Sequence, residues 1–337
     1  MSRKKIVIPG GTGYLGRFLT RHFAGRGHEV VVLTREIREG RSLNGPLSDV
    51  GGWKPPLLVK WDGATPGGWM TELDNADVVI NLAGRSVNCR YNRRNKQAIY
   101  DSRLKSTAVL GRAIAACAHP PKVWINSSTA TIYRHAEDRE MDELTGEIGN
   151  DFSMDVAKRW EAALNGVRTP RTRKIALRSA MVMGPGNAGV FKAFYRLVKW
   201  KLGGTQGNGR QFVSWVHWQD FVRAIEWIIE NESVNGPVNV ASPNPLTNRE
   251  FMRVLREIDH ARIGLPAPAW LLEIGAVFLR TETELVLKSR RVVPARLLAT
   301  GFIFDHPHWS GAVRDLLNQP MHPLLALDPR YSYRTRL

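Results

Sequence analysis

Short apolar runs alternate with longer stretches of helical period along most of this chain. Continuous runs of β-branched and other apolar residues are typical of parallel strands buried on both faces. The pattern therefore predicts an α/β fold, a doubly wound parallel sheet with helices on both faces. The predicted strands cover residues 6–8, 28–35, 57–62, 77–84, 122–127 and 175–178.

The first apolar run breaks into a glycine-rich turn, GGTGYLG, over residues 10–16. Glycines at positions 10, 13 and 16 allow a tight turn, close backbone approach to a pyrophosphate and close packing of helix on strand. Free N–H groups at the start of the following helix would face the phosphate charge. A purely structural turn can share this spacing, but its position between strand and helix predicts a dinucleotide-binding turn.

The end of the second predicted strand bears on the choice between NAD and NADP. It carries Thr34 and Arg35, and Arg38 and Arg41 follow. An acid at this position would bind the ribose 2′-hydroxyl, whereas a basic residue would accept a 2′-phosphate. Because the basic residues outnumber Glu36, we predict NADP rather than NAD.

Two later strand ends carry candidate chemistry. Ala83 and Gly84 are small enough for backbone to lie against a nicotinamide ribose or phosphate, although an ordinary strand exit has the same composition. The fifth strand runs into the hydroxyl-rich segment SSTATIY at residues 127–133. Ligands of open α/β sheets bind beyond the carboxyl ends of the strands, so these hydroxyls are placed for chemistry. The alternative is a Ser/Thr turn that makes local backbone bonds.

The 337 residues suit one Rossmann domain with a smaller lobe. We assign residues 1–178 and 212–242 to the cofactor domain, 179–211 and 243–318 to a substrate lobe, and 319–337 to an irregular tail. No window approaches the roughly 20 apolar residues of a membrane span, so we expect a cytoplasmic protein without a membrane partner. Two cysteines, Cys89 and Cys117, exclude a disulfide framework and a cysteine-rich zinc site, and we predict no metal ligands.

The net charge of +17 arises from 48 Lys and Arg against 31 Asp and Glu. Such a balance fits nucleic acid, an anionic membrane, or an anionic cofactor and substrate. The basic residues are spread over the whole chain, without the interleaved aromatic residues of single-strand binders. We therefore favour a solvated basic surface over a nucleic-acid footprint.

Together with NLAG, LRSAMVMGPG and SWVHWQD, these motifs resemble the extended short-chain dehydrogenase/reductase superfamily. Within it, the chain is similar to the atypical branch labelled NAD(P)-dependent epimerase/dehydratase family protein. The resemblance covers roughly residues 4–318 and implies an NADP-binding Rossmann domain with a smaller C-terminal lobe that closes over it. The branch-specific segments are SRLKST at 102–107, GNGRQFVSWVHWQDFVRAI at 207–225, VNVASPNPLTNREF at 238–251 and VVPARLLATGFIF at 292–304.

The resemblance also implies roles for individual residues. Thr129 would hydrogen-bond a substrate carbonyl or alcohol, and Lys158 would bind the nicotinamide ribose and lower the pKa of a neighbouring tyrosine. His217 and Asp220 would line the cleft, and Asp62 would lie near the adenine. The residues expected to contact the cofactor are Gly10, Gly13, Tyr14, Leu15, Gly16, Thr34, Arg35, Asp62, Ala83, Gly84, Ser127, Lys158 and Arg178.

One position departs from the superfamily pattern. The acid/base there is the tyrosine of a YxxxK motif, and four residues before Lys158 this chain has Met154. A thioether cannot exchange a proton. Tyr133 offers a phenol at the fifth strand exit and His217 offers a group that titrates near neutrality. Both are candidate replacements, although Tyr133 could instead anchor the loop and His217 could simply bond to backbone.

Besides nucleic-acid binding driven by the net positive charge, two functions follow from these observations. The first is an NADP-dependent oxidoreductase or epimerase that acts on a small molecule through Thr129, Lys158 and a replacement acid. The second is a non-catalytic NADP(H)-binding redox sensor, which requires different affinities for the reduced and oxidised cofactor. The substrate, the reaction direction and the oligomeric state stay open, with a homodimer as one candidate.

Overall fold

The computed structural model describes residues 2–37, 55–186, 189–268 and 287–318. Arg38, Arg41 and the predicted tail at 319–337 lie outside these ranges. The strands are β1 (Lys5–Pro9), β2 (Glu29–Thr34), β3 (Leu57–Lys60), β4 (Val78–Asn81), β5 (Val123–Thr129), β6 (Arg173–Ser179), β7 (Met181–Met183), β8 (Phe212–Val213), β9 (Trp215–His217), β10 (Gly236–Val240) and β11 (Leu246–Thr247).

The helices connect these strands and cover the sheet. Two short 3₁₀ turns, Gly68–Glu72 and Ala130–Ile132, lie between the longer elements. The α-helices are α1 (Tyr14–Gly25), α2 (Arg93–Ala116), α3 (Phe152–Asn165), α4 (Val190–Lys199), α5 (Trp218–Glu230), α6 (Asn248–Ile258), α7 (Ala295–Ala299) and α8 (Trp309–Asn318).

Seven strands form one parallel sheet in the order β10–β6–β5–β4–β1–β2–β3. The chain builds outward from β1 through β2 to β3 and then returns to β4 on the other side of β1. This reversal is the doubly wound topology predicted from the sequence, and it confirms the fold class. In such sheets the crevice at the reversal, beyond the carboxyl ends of the strands, is where ligands bind.

Alternate residues of the central strands point into two different cores. Ile6 and Ile8 of β1 pack with Phe18 of α1 on one face of the sheet. Val7, between them, packs with Val109 of α2 on the other face. Because successive side chains of a strand face opposite ways, burial on both faces requires apolar residues at every position. This is the physical reason for the continuous apolar runs.

A third core belongs to the second half of the chain. Phe194 of α4, Phe251 of α6 and Trp309 of α8 pack together there, and the rings of Phe251 and Trp309 stack with centroids 4.1 Å apart. Two small sheets, β8 with β11 and β7 with β9, contribute further residues. No helix in the described ranges is both long enough and apolar enough to cross a membrane.

Candidate functional site

The glycine turn joins β1 to α1 between the ends of β2 and β4. The Gly10 N–H donates to the Leu33 carbonyl at 3.0 Å, and Gly10 has a φ of +80°. A Cβ atom on Gly10 would lie 3.0 Å from the Leu82 carbonyl and from the Ala83 nitrogen. Glycine is therefore needed here both for its backbone conformation and for the close approach of β4.

Gly16 brings helix α1 against the turn. A Cβ atom at this position would lie 2.5 Å from Gly11 Cα and 2.6 Å from the Gly10 carbonyl oxygen. At the helix start, Gly13 provides no side-chain cap, and the first turn of α1 carries no acidic residue. Because the first amides of a helix have no intrahelical acceptors, this uncapped, acid-free end is suited to an anion.

Tyr14 and Leu15 hold the turn in place through their side chains. Tyr14 Oη donates a 3.1 Å hydrogen bond to the Pro185 carbonyl, and burial raises the pKa of its phenol. Its ring packs edge-on against Phe18, with centroids 5.0 Å apart, and Leu15 packs against the core on the same face of the sheet. The two residues thus tie the start of α1 to the segment after β7 and to the sheet.

Thr34 and Arg35 lie at the end of β2, beside the glycine turn. Thr34 is buried, and its Oγ1 lies 3.4 Å from Oγ1 of Thr12, a residue of the turn. Arg35 follows immediately and is exposed. The structure therefore brings an accessible guanidinium to the same sheet edge as the turn. A group that binds a 2′-phosphate must be accessible in this way.

Asp62 begins an exposed turn after β3, the strand next to β2. Its carboxylate accepts hydrogen bonds from Thr65 Oγ1 at 2.6 Å, from the Thr65 N–H at 2.9 Å and from the Ala64 N–H at 2.8 Å. The bonds from Thr65 and Ala64 lower the pKa of Asp62 to about 2. The carboxylate thus stabilises the turn over residues 62–65 through these hydrogen bonds. Its predicted position near the adenine stays a prediction.

Paired amides connect the exits of β4 and β5. Asn81 Nδ2 donates to Asn126 Oδ1 at 2.7 Å, and both side chains are buried. Asn81 Oδ1 in turn accepts from the Ala83 N–H at 3.0 Å, and Gly84 beyond it is exposed. The small residues predicted at this exit therefore lie on a rigid support.

The hydroxyls at the end of β5 alternate between the two faces of the strand. Ser128 is buried and donates to Glu161 Oε1 at 2.6 Å, whereas Ser127 and Thr129 are half-buried on the opposite face. Thr129 Oγ1 accepts from the Thr131 N–H at 3.1 Å and lies 3.0 Å from Thr131 Oγ1. Thr129 thus makes the local backbone bond of a Ser/Thr turn and still reaches solvent.

A buried polar network encloses Tyr133 and Arg178. Tyr133 is fully buried, donates to Asn239 Oδ1 at 2.9 Å and accepts from Arg178 at 2.8 Å. Arg178 also makes two 2.8 Å bonds to the carboxylate of Glu161. Burial raises the pKa of Tyr133 despite the opposing charge of Arg178. Tyr133 and Arg178 are therefore both buried within this network, and their predicted roles in catalysis and cofactor binding stay predictions.

Met154 and Lys158 lie one turn apart on α3 with different surroundings. The Met154 side chain is buried, and its sulfur accepts the Asp151 N–H at 3.4 Å, within the cap of the helix. Lys158 is half-buried and donates to Asn150 Oδ1 at 3.0 Å. At position 154 the side chain therefore has a structural role, while the ammonium of Lys158 keeps partial access to solvent.

A phenol that the sequence analysis did not single out lies near the start of α3. Tyr100, on α2, packs edge-on against Phe152 with ring centroids 5.5 Å apart. Its hydroxyl donates to Asp155 Oδ2 at 2.5 Å, and burial together with this bond raises the pKa of Tyr100 to about 12. Tyr100 is thus held protonated. Its distance of 52 residues from Phe152 along the chain left no local signal for this contact.

His217 ends β9 in the interior. Its side chain is fully buried, and burial together with neighbouring His306 lowers the pKa of His217 to about 3. At this pKa His217 does not titrate near neutrality, and a role for it in catalysis stays a prediction. Asp220 is also fully buried and accepts the backbone N–H groups of Asp305 and His306, both at 2.8 Å. The SWVHWQD segment therefore holds the chain before α8 in place.

Comparisons with known proteins agree with this architecture. Residues 6–241 match the NAD dependent epimerase/dehydratase family, and residues 267–316 match a domain of unknown function, DUF1731. The epimerase family protein YfhF of Bacillus subtilis is 30% identical over 316 residues, which cover 93% of this chain and 97% of YfhF.

Solved structures of epimerase family proteins share the fold of this chain. The crystal structure of the human epimerase family protein SDR39U1 with NADPH superposes with a TM-score of 0.78 at 28% identity, covering 94% of this chain and all of that chain. A nucleoside-diphosphate sugar epimerase from Corynebacterium glutamicum superposes with a TM-score of 0.72 at 26% identity, covering 94% of this chain and 58% of its own. The chain belongs to the NAD dependent epimerase/dehydratase family.

Proposed function

We propose that this chain is an NADP(H)-binding oxidoreductase or epimerase of the extended short-chain dehydrogenase/reductase type. The observation that carries the proposal is the packing of Gly16 against Gly11, which presents the uncapped, acid-free start of α1 at the sheet reversal. The turn would hold a pyrophosphate through backbone N–H groups. The NADPH in the human relative's structure supports the same choice of ligand.

Arg35 is the residue we assign to the 2′-phosphate. It is exposed directly after Thr34, whose hydroxyl lies 3.4 Å from that of Thr12 in the glycine turn. Planar guanidinium groups bind phosphate through two parallel hydrogen bonds, an interaction that NAD(H), which has no 2′-phosphate, cannot make. We therefore propose NADP(H) in preference to NAD(H).

Thr129 and Lys158 are the residues that we assign to the substrate and to the nicotinamide end of the cofactor. When bound, the nicotinamide supplies a hydride donor and acceptor. Thr129 would orient a substrate oxygen through its half-buried hydroxyl, and Lys158 would bind the nicotinamide ribose. Met154 offers no proton, and the side chains of Tyr133 and His217 are enclosed. This favours substrates whose reaction does not draw a proton from these three positions.

We also propose the division into a cofactor part, 1–178 with 212–242, and a substrate lobe, 179–211 with 243–318. The pairing of β10 with β6 supports it, since residues 236–240 complete the sheet that carries the glycine turn. The separate core of α4, α6 and α8 supports a second packing unit.

The test is a search for hydride transfer. Purified protein with NADPH or NADP⁺ would be screened against small carbonyl compounds, alcohols and sugar nucleotides at the reduced nicotinamide absorbance band. We expect a substrate-dependent change that falls at least about tenfold in Lys158→Met and Thr129→Val, in keeping with lost substrate positioning. Lys122→Met, an exposed lysine that precedes β5, serves as the matched control. Because an epimerase returns the hydride to its product and leaves no net absorbance change, the sugar nucleotides would also be analysed for epimerised product. Absence of both an absorbance change and an epimerised product across the panel would reject the enzymatic proposal.

A non-catalytic sensor of NADP(H) redox state is the second candidate. Met154 favours it, together with the enclosure of Tyr133 and His217. A sensor must bind NADPH and NADP⁺ with different affinities, and a tenfold ratio of Kd corresponds to about 1.4 kcal/mol. Titration of the protein with each form measures that ratio. Equal dissociation constants would eliminate the sensor and leave the enzyme.

A further inference from the structure

Two imidazoles and a carboxylate meet beside the end of β9. One ligand atom from each of His217, His306 and Asp315 lies within 4.8 Å of the other two. His217 Nε2 is 3.1 Å from Asp315 Oδ2, and the rings of His217 and His306 have centroids 3.8 Å apart. Imidazole nitrogen and carboxylate oxygen are ligands that zinc and related ions accept, and three protein ligands with one open position form a common site.

The surroundings of His217 leave its ring without hydrogen bonds. The side chain is fully buried, and neither ring nitrogen makes a hydrogen bond to any described residue. Although Nε2 is close to Asp315, the pair lacks hydrogen-bond geometry. Buried polar groups in native proteins almost always have a partner, so an enclosed imidazole of this kind requires an explanation. A cation between the three side chains would supply the partner.

His306 is oriented by bonds outside the cluster. Its Nε2 lies 2.9 Å from Gln219 Oε1, and its backbone N–H donates to Asp220 at 2.8 Å. Since an amide oxygen only accepts, Nε2 carries the proton and the lone pair of His306 is on Nδ1. Metal-binding histidines commonly donate their second ring N–H to an oxygen in this way, which fixes the tautomer and the ring orientation.

From this geometry we propose that His217, His306 and Asp315 bind one divalent transition-metal ion of the zinc class. The three ligands come from β9, from the segment before α8 and from α8 itself. The ion would therefore link the last described helix to the strand that precedes α5. Asp315 keeps 31% of its side-chain surface exposed, which provides access for the ion and for a water as fourth ligand.

The residue that follows His217 contacts the helix of the glycine turn. Trp218 follows His217 directly and stacks on Phe18 of α1, with ring centroids 4.8 Å apart. Metal loading would thus stabilise packing between the C-terminal segment and the cofactor domain. This role is structural, and it does not depend on the proposed oxidoreductase function.

The test measures metal binding in the absence of nicotinamide. Full-length protein stripped with a chelator would be titrated with Co²⁺ and Zn²⁺, with visible absorption of bound Co²⁺, calorimetry and thermal unfolding as readouts. We expect one ion per chain, visible Co²⁺ bands, and a higher Tm in Zn²⁺. Asp315→Asn and His306→Gln should weaken binding at least about 30-fold. His308→Gln, an exposed histidine two residues away, is the matched control and should bind like the original chain.

Several results would overturn the proposal. These are the absence of Co²⁺ bands in the original chain, equal binding by Asp315→Asn, or an equal loss in His308→Gln, which would mean surface binding only. Thermal unfolding of each variant in chelator separates lost binding from failed folding. If either variant does not fold, the Co²⁺ spectrum and stoichiometry of the original chain decide the question alone.

Discussion

Tyr133 Oη donates a 2.9 Å hydrogen bond to Asn239 Oδ1, linking the exit of β5 to the edge strand β10 across 106 positions of the chain. Both side chains are fully buried, and Arg178 donates to the same phenol oxygen. A residue that the local sequence offers as an acid is thus a structural connection between strands. This relationship changes which variants are informative.

Replacement of Tyr133 by Phe should reduce stability rather than cofactor binding. It removes a donor from Asn239 and an acceptor from Arg178 inside the protein, and buried groups left unpaired cost roughly 1–3 kcal/mol. We expect a lower urea midpoint and an NADPH Kd within about threefold of the original. Tyr195→Phe, which removes a bond to Asp259 from a partly exposed phenol, should cost less. A large loss of turnover at unchanged stability would contradict the structural role.

Replacement of Gly16 by Ala should damage both packing and nucleotide binding. Its Cβ would lie 2.5 Å from Gly11 Cα, so α1 must move away from the turn. Overpacking of this kind costs about 1–3 kcal/mol, and we expect NADPH affinity to fall at least about tenfold. Gly25→Ala in the same helix is the control, since apart from its chain neighbours and its own helix no atom of the described residues lies within 4 Å of the added Cβ. Fluorescence titration with NADPH would measure the affinity of each variant. An unchanged affinity in Gly16→Ala would contradict the prediction that this packing supports nucleotide binding.

Arg35→Ala should selectively weaken binding of NADPH. The lost charge-assisted contact with a 2′-phosphate is worth about 1.5–3 kcal/mol when well formed, and exposure to solvent lowers this to roughly a tenfold effect. NADH, which lacks that phosphate, should bind unchanged. Arg168→Ala, an exposed arginine before β6, controls for net charge. Equal losses of affinity for NADPH and NADH would show that Arg35 does not bind the 2′-phosphate.

Glu226 should make stability depend on pH in the acid range. It is buried and accepts hydrogen bonds from His22 at 3.0 Å and from Arg26 at 2.7 Å. Burial raises the pKa of Glu226, but the bond from His22 and the charges of His22, Arg26 and His28 outweigh it, so the pKa lies below its usual value. The unfolded chain therefore binds the proton first. The stabilisation is complete above the unfolded pKa near 4.5 and is lost as pH falls through the lower folded pKa.

Glu226→Gln tests this dependence directly. We expect it to lose about 1–3 kcal/mol of the free energy of unfolding at pH 7 and to show a shallower decline between pH 5 and pH 3 than the original chain. Glu230→Gln, at the exposed end of α5, should change little at either pH. Urea unfolding across this range provides the comparison. Parallel stability curves for Glu226→Gln and the original chain would refute the linkage.

The alternation of apolar runs and helical stretches predicted six of the seven strands of the parallel sheet, because burial on both faces requires consecutive apolar residues. It did not predict the edge strand β10. Val30 to Leu33 are all buried, and the run is apolar throughout. The third predicted strand was slightly long, since β3 ends at Lys60 while Asp62 begins a hydrogen-bonded turn. Strand ends depend on such local bonds, which apolar periodicity does not report.

The amino-acid sequence by itself indicated the doubly wound fold and the place of the glycine turn, because apolar runs, helical period and glycine spacing are local patterns of the chain. Gly10 has a positive φ, which its place in the glycine-rich turn indicates. Arg35 directly follows an apolar run, which the local sequence also indicates. Only the tertiary structure decided that Tyr133 and His217 are enclosed. Their surroundings come from Asn239, His306 and more distant elements, and burial and pKa are set by those contacts rather than by residue type.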